Sequence, residues 1–319
     1  MTPGRPARRV ARFGENGQGM ERKDGIDAFG AVALIGFSMV LGFNQVIIKV
    51  VNEGFQPVFW AGLRSVIAVA CLWGWMVLRG RPPRITRATL GPGILIGLIF
   101  AVEFLLLFIA LDLTTVTRAS VIFYSMPVWL SIAGHFLLPG ERLTRRKSLG
   151  LALAFAGVGW AILDRGAAGG AGSLAGDLCA LGAALSWAAL PLCARLTAMS
   201  GERADMQIFW QVLVSAPVLL AASLFFGPLL RDPGLVHFAG LGVQAVLIVS
   251  ASYVFWFWLL SVYPANAVAS FSFLTPVLSV MMGWLILGET IGPVIIASLV
   301  LVSAGIVLIN RPARRPPRV

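Results

Sequence analysis

Ten apolar stretches of helix length run along the chain: Ala28–Lys49, Pro57–Leu78, Leu90–Leu111, Arg118–Leu138, Lys147–Leu163, Leu174–Leu196, Met206–Phe226, Val236–Leu260, Asn266–Leu287 and Pro293–Asn310. A membrane-spanning helix needs about 20 mostly apolar residues, and only the fifth and tenth stretches are near the short end. The alternation of barrel strands is missing. In lipid a helix satisfies its own backbone groups. Breakers and charges fill the links Arg79–Arg87, Pro139–Lys147, Ala167–Gly172 and Gly227–Gly234. The pattern predicts an all-α integral membrane protein with ten transmembrane helices.

Composition agrees. Of 319 residues, 58% are hydrophobic and 12% charged, and the mean hydropathy is +0.86. Soluble domains carry about 45–50% apolar and about 25% charged residues. That excludes a soluble enzyme and a nucleic-acid module despite the net charge of +11. The basic residues belong in loops and tails, where they report orientation. With the N-terminus cytoplasmic, 20 of the 25 Lys and Arg fall inside, four outside, and Arg64 lies within a span. The bias predicts both termini in the cytoplasm, a multi-pass chain in a bacterial inner (plasma) membrane, and an even span count. Residues 1–27 and 311–319 read as basic cytoplasmic tails, the first disordered. The first apolar run follows a long polar tail and exceeds a signal-peptide core, so no cleavable leader is expected.

The two halves carry the same marks in the same order. Met126–Pro127–Val128 matches Thr275–Pro276–Val277, and Gly140–Glu141 matches Gly288–Glu289. A glycine follows each Glu by 16 residues, Gly157 and Gly305. Phe59–Trp60 matches Phe209–Trp210, and Lys49 matches Arg195. Each half holds five spans, an odd number, so the second enters the membrane from the opposite side. The expectation is two inverted five-helix repeats, 28–165 and 174–310, with a substrate site near the midplane between them.

These prolines and Gly-Glu pairs, with Arg64, Gly42, Asn44 and Lys49, resemble the EamA-type drug/metabolite transporters over residues 28–310. Two positions depart from that pattern: Leu41 stands where a tryptophan is common, and Val214 where an Arg would repeat Arg64. The resemblance implies export of small metabolites, including aromatic or other neutral amino acids.

Glu103 is the sharpest candidate, because an ionisable group in mid-span costs about 2.5–3.5 kcal/mol. It can bind a substrate ammonium, carry a coupling proton, or pair with Arg64. Arg64 can bind a carboxylate, reach the interface, or pin helix ends. Pro127 and Pro276 each remove a backbone hydrogen bond and kink a helix, which would open carbonyls toward a cavity. Ser125, Ser270, Ser272 and Thr275 sit beside them as substrate hydrogen-bonding candidates. Tyr124, Tyr253 and Trp256 are the aromatic candidates for stacking or cation–π contact. His135 and His237 are isolated and read as interfacial.

No nucleotide-binding loop, metal-ligand spacing or disulfide framework is present, so no cofactor, metal or catalytic residue is expected. The expected function is secondary transport by alternating access, not catalysis. Partners are a small-molecule substrate, the bilayer and protons as a candidate coupling ion, with no nucleic acid, in a monomer. A membrane enzyme acting on lipid or isoprenoid is the alternative, but it needs clustered acids or histidines.

Overall fold

The computed structural model describes residues 26–139, 141, 143–164, 172–263, 271 and 273–310. Among them every regular element is helical, and one antiparallel bridge joins Phe55 to Leu230. In order the helices are α1 (Ala28–Gly54), α2 (Pro57–Leu78), α3 (Arg87–Leu113), α4 (Val116–Phe123), α5 (Met126–Leu137), α6 (Arg145–Leu163), α7 (Leu174–Leu196), α8 (Ala204–Ser223) and α9 (Leu235–Gly242). A π-helical segment, Val243–Ala251, then leads into α10 (Ser252–Val262). The last two are α11 (Leu274–Leu287) and α12 (Pro293–Asn310).

Polar residues start these helices where the apolar runs begin. The Asp27 carboxylate accepts the Gly30 N–H at 2.8 Å, and the Ser173 hydroxyl accepts that of Gly176 at 3.0 Å. Each supplies an acceptor to a donor that has no partner within its helix.

Among the described residues, eight stretches are long and apolar enough to cross a membrane: α1, α2, α3, the α4–α5 stretch, α6, α7, α8 and α12. Leu235–Val249 and α11 are shorter apolar helices. The stretch expected as an eighth span is helical from Leu235 to Val262, with the π turns inside it. The expected ninth, Asn266–Leu287, is described as a helix from Leu274 onward.

The fourth span is not the kinked rod expected from Pro127. The helix stops at Phe123, turns at Tyr124 and Ser125, and restarts at Met126. Pro127 falls in the first turn of α5, where its missing N–H has no partner to lose. Pro276 likewise sits in the first turn of α11.

Small residues let the helices approach. On α6 and α12, a Cβ at Gly157 would lie 2.8 Å from Ser298 O, and one at Gly305 would lie 2.5 Å from Gly150 O. Between α2 and α8, the Ser215 hydroxyl donates to Ser65 Oγ at 3.1 Å. Gly42 on α1 backs onto Ser279 of α11. Van der Waals packing and close backbone approach hold helices together where lipid removes the hydrophobic drive between them. Large apolar side chains such as Trp73, Leu163, Phe238 and Val300 point outward, as a chain bathed in hydrocarbon requires.

Candidate functional site

Phe104 of α3 and Trp187 of α7 pack against both of the two larger buried apolar clusters of the bundle while remaining only partly buried. The polar groups of interest gather around these two rings.

On one side is the charge pair. Arg64 and Glu103 are 2% and 3% exposed. The i, i+4 spacing of Phe100, Phe104 and Phe108 makes an aromatic stripe on α3, with successive ring centroids 4.5 and 5.9 Å apart. The Arg64 guanidinium lies 3.8 Å from the Phe104 ring centre and 5.2 Å from that of Phe108. From there it acts on the Glu103 carboxylate. Charges at this depth are tolerable when they face each other, and an aromatic face adds a cation–π contribution. One carboxylate oxygen, Glu103 Oε2, is buried without a hydrogen-bond partner. Arg64, for which pairing with Glu103 was one of the expected roles, is thus buried and acts on Glu103.

On the other side is the break between α4 and α5. It turns Tyr124 inward, where its hydroxyl donates to Leu41 O at 3.1 Å and accepts from Gln45 Nε2 at 3.3 Å. The Ser279 hydroxyl of α11 sits beside it. Phe123 stacks on Trp187 with centroids 4.8 Å apart, and Tyr124 meets Trp187 edge-on at 6.0 Å. Gln45 Oε1 and Ser279 Oγ are buried without a hydrogen-bond partner, and so is Gln244 Oε1 on the π-helical segment. Gln244 Nε2 donates to Asn44 Oδ1 at 2.9 Å. A π turn is rare and concentrates at functional sites. Acceptors left open inside lipid-embedded protein are costly unless water or a solute completes them.

Gln45, Gln244 and Ser279 were not singled out from sequence. An amide inside an apolar span is the same signal that exposed Glu103, in weaker form. The remaining candidates fall elsewhere. Ser125 is buried, with its hydroxyl given to Ile122 O and receiving the Trp129 Nε1–H at 3.0 Å. Thr275 is buried one turn before Ser279. Trp256 stacks on Phe37 at 5.1 Å, one turn along α1 from Leu41. Ser270, Ser272 and the Tyr253 side chain lie outside the described residues. His237 accepts the Gly234 N–H at 2.8 Å and caps its own helix.

Two concavities are open elsewhere. One of about 390 Å³ lies between α3 and α7 and is lined by Leu98, Val102 and Leu185; one of about 280 Å³ adjoins the Asp112–Arg231 ion pair. The first is an apolar flank with no charged lining residue.

The profile of the EamA-like transporter family matches residues 28–163 and again residues 174–311. The "Uncharacterized transporter YoaV" of Bacillus subtilis (strain 168) is 25% identical over 283 residues, covering 86% of this chain and 94% of that protein. A "Probable amino-acid metabolite efflux pump" of Salmonella typhimurium is 29% identical over 296 residues, covering 90% and 94%. A crystal structure superimposes with a TM-score of 0.61 at 19% identity over 88% of this chain and 97% of its own, a likeness of fold. The two profile matches together take in most of the sequence, and this multi-pass membrane chain belongs to the EamA-like transporter family.

Proposed function

We propose that the protein is a secondary transporter of the bacterial inner membrane that exports neutral or aromatic amino acids by alternating access, with both termini cytoplasmic. The observation that carries this reading is a set of buried, uncompleted polar atoms: Glu103 Oε2 next to Phe104 in the chain, Gln45 Oε1 and Ser279 Oγ around Tyr124, which meets Trp187, and Gln244 Oε1 on the residue that holds Asn44. They come from both halves of the chain. A zwitterion supplies what they lack. Its ammonium completes Glu103 or the amide and hydroxyl oxygens, its carboxylate engages Arg64 bidentately, and its side chain lies against the aromatic rings. The naming of two relatives as amino-acid metabolite efflux pumps agrees.

The fold organisation proposed is ten spans in two inverted repeats. The contacts support it. Gly157 and Gly305 are equivalent by sequence offset, and so are Gly150 and Ser298. The Gly157–Ser298 approach therefore becomes the Gly305–Gly150 approach when the halves are exchanged. The Ser65–Ser215 hydrogen bond maps onto itself by the offset that relates Trp60 to Trp210, as a contact on a two-fold axis does. Rocking about such an axis exposes one central site to either side in turn. Protons drive export when Glu103 accepts one on one side and releases it on the other.

The test is counterflow. Proteoliposomes are loaded with an unlabelled neutral amino acid and diluted into its labelled form. Accumulation above protein-free liposomes supports the reading. No exchange of any amino acid in a neutral and aromatic panel contradicts it.

A further inference from the structure

The end of the bundle where α3 passes into α4 holds a second polar assembly. Lys49 on α1 donates to Thr114 O at 2.8 Å. Glu289, in the link between α11 and α12, accepts the Val116 and Thr117 N–H groups, one on each carboxylate oxygen, at 2.6 and 2.8 Å. Arg118 forms a two-contact ion pair with Asp177 at 2.7 and 3.3 Å and donates to Ala161 O at 2.6 Å. Thr114 Oγ1 completes Asp177 at 3.1 Å. Lys49 and Ala161 precede residue 165, whereas Asp177 and Glu289 follow it. The start of α4 is thus tied across both halves, through charge-assisted bonds largely shielded from water.

The equivalent residues at the opposite end are arranged differently. Glu141 and Glu289 fold back onto matching places of the preceding helix: a Cβ at Gly134 would lie 2.8 Å from Glu141 Oε2, and one at Gly283 would lie 2.9 Å from Glu289 Oε2. Arg195 is the sequence counterpart of Lys49. Yet Glu141 and Arg195 hold each other at 2.6 Å with side chains 41% and 59% exposed. Among the described residues, one matched pair grips a helix start and the other pair is joined at the surface.

We propose that Glu289 is the latch of the outer gate: in this structure it is engaged, and on outward opening it releases Val116 and Thr117 and pairs with Lys49, as Glu141 pairs with Arg195. This rests on the inverted-repeat reading and on the orientation given above, but not on the substrate. Release leaves two backbone donors that only water can complete, so opening and hydration of this end are one event. The arrangement seen here is closed at the outer end.

The experiment uses the full chain in proteoliposomes, with Cys71, Cys179 and Cys193 replaced by serine and Ser279→Cys as reporter, labelled by a membrane-impermeant maleimide from each side in turn. Glu289→Gln is expected to speed outer-side labelling about tenfold, the loss of roughly one charge-assisted hydrogen bond. An unchanged rate overturns the proposal. The second arm does not depend on that variant folding. A Cβ at Gly283 would lie 3.3 Å from Val116 Cβ, close to disulfide spacing. Oxidised Val116→Cys/Gly283→Cys should lose outer-side labelling and regain it on reduction; undiminished labelling of the cross-linked protein overturns the latch. A carbodiimide should join Lys49 to Glu289 in the reduced protein and not in the oxidised one, and no such linkage in either refutes the exchange of partners. No amino acid is needed, so a wrong substrate assignment leaves this result standing. Labelling confined to the other side would show a wrong orientation.

Discussion

Remove Arg64 by Arg64→Leu, and Glu103 must either hold an unpaired charge or take up a proton in a site 3% exposed, with one oxygen already lacking a hydrogen bond. Breaking a buried pair from one side costs about 3–5 kcal/mol. The converse, Glu103→Leu, costs less, because Arg64 retains the faces of Phe104 and Phe108, worth about 0.5–2 kcal/mol. The double variant leaves no charge to strand and replaces the pair by apolar groups, which is near neutral for many buried pairs. The two changes should therefore be strongly non-additive, with a coupling of about 3 kcal/mol or more. The assay is detergent-solubilised protein titrated with a denaturing surfactant and followed by tryptophan fluorescence, for the two single variants and the double. The Glu141–Arg195 pair is the internal control, since its exposed side chains should couple by only about 0–1 kcal/mol. Additivity of Arg64→Leu and Glu103→Leu within about 0.5 kcal/mol would refute the reasoning, because the two charges would then be independently solvated.

Other consequences follow from the same geometry. Gly305→Ala puts a methyl 2.5 Å from Gly150 O and 2.8 Å from Ala154 Cβ, so it should destabilise by about 1–3 kcal/mol, while Gly159→Ala, which faces open space inside α6, should not lower the thermal midpoint and should raise it slightly. Trp60→Phe removes the Nε1–H that reaches Asn52 Oδ1 at 2.7 Å in a fully buried setting; unfolding titration should show a loss of about 1–3 kcal/mol. Ser279→Ala should raise KM for the exchanged amino acid without shifting the unfolding curve, whereas Gln45→Leu, which also removes the donor to the Tyr124 hydroxyl, should raise KM and lower stability by about 0.5–1.5 kcal/mol; an unchanged KM in both would remove these oxygens from recognition. Glu103→Gln should flatten the pH dependence of export, which persists if the coupling proton travels elsewhere.

The helices were legible because an apolar run of span length has few alternatives in lipid, and the observed ends fall within a few residues of the expected ones for α2, α3, α6 and α7. Glu103 was legible for the converse reason: a lone charge among leucines and phenylalanines has no cheap place to go. Gly157 and Gly305 stood out by equal spacing from their glutamates, and each lies under a backbone carbonyl of the opposite half. The break at Tyr124 was not legible, because a proline marks an interruption without saying whether the helix bends or restarts. The burial of Arg118, one of the four basic residues counted on the outer side, was not legible; its partner Asp177 is remote in sequence, and only the fold brings them together. The π-helical segment has no breaker within Val243–Ala251, so its register change leaves no compositional trace. Gln45 and Gln244 were passed over because one neutral amide scarcely lowers the hydropathy of a span, although an open acceptor at that depth is as informative as a charge.

The central claim is that a solute occupies the seam around Tyr124 and Trp187. A cysteine at Tyr124, in a chain otherwise free of cysteine, tests it most directly when maleimide labelling is timed with and without the amino acid that shows counterflow. This amino acid should slow labelling at position 124 in a saturable way and leave Val300→Cys, on the outward-facing surface, unaffected. Equal labelling of position 124 with and without saturating amino acid would contradict it and move the path of the solute elsewhere.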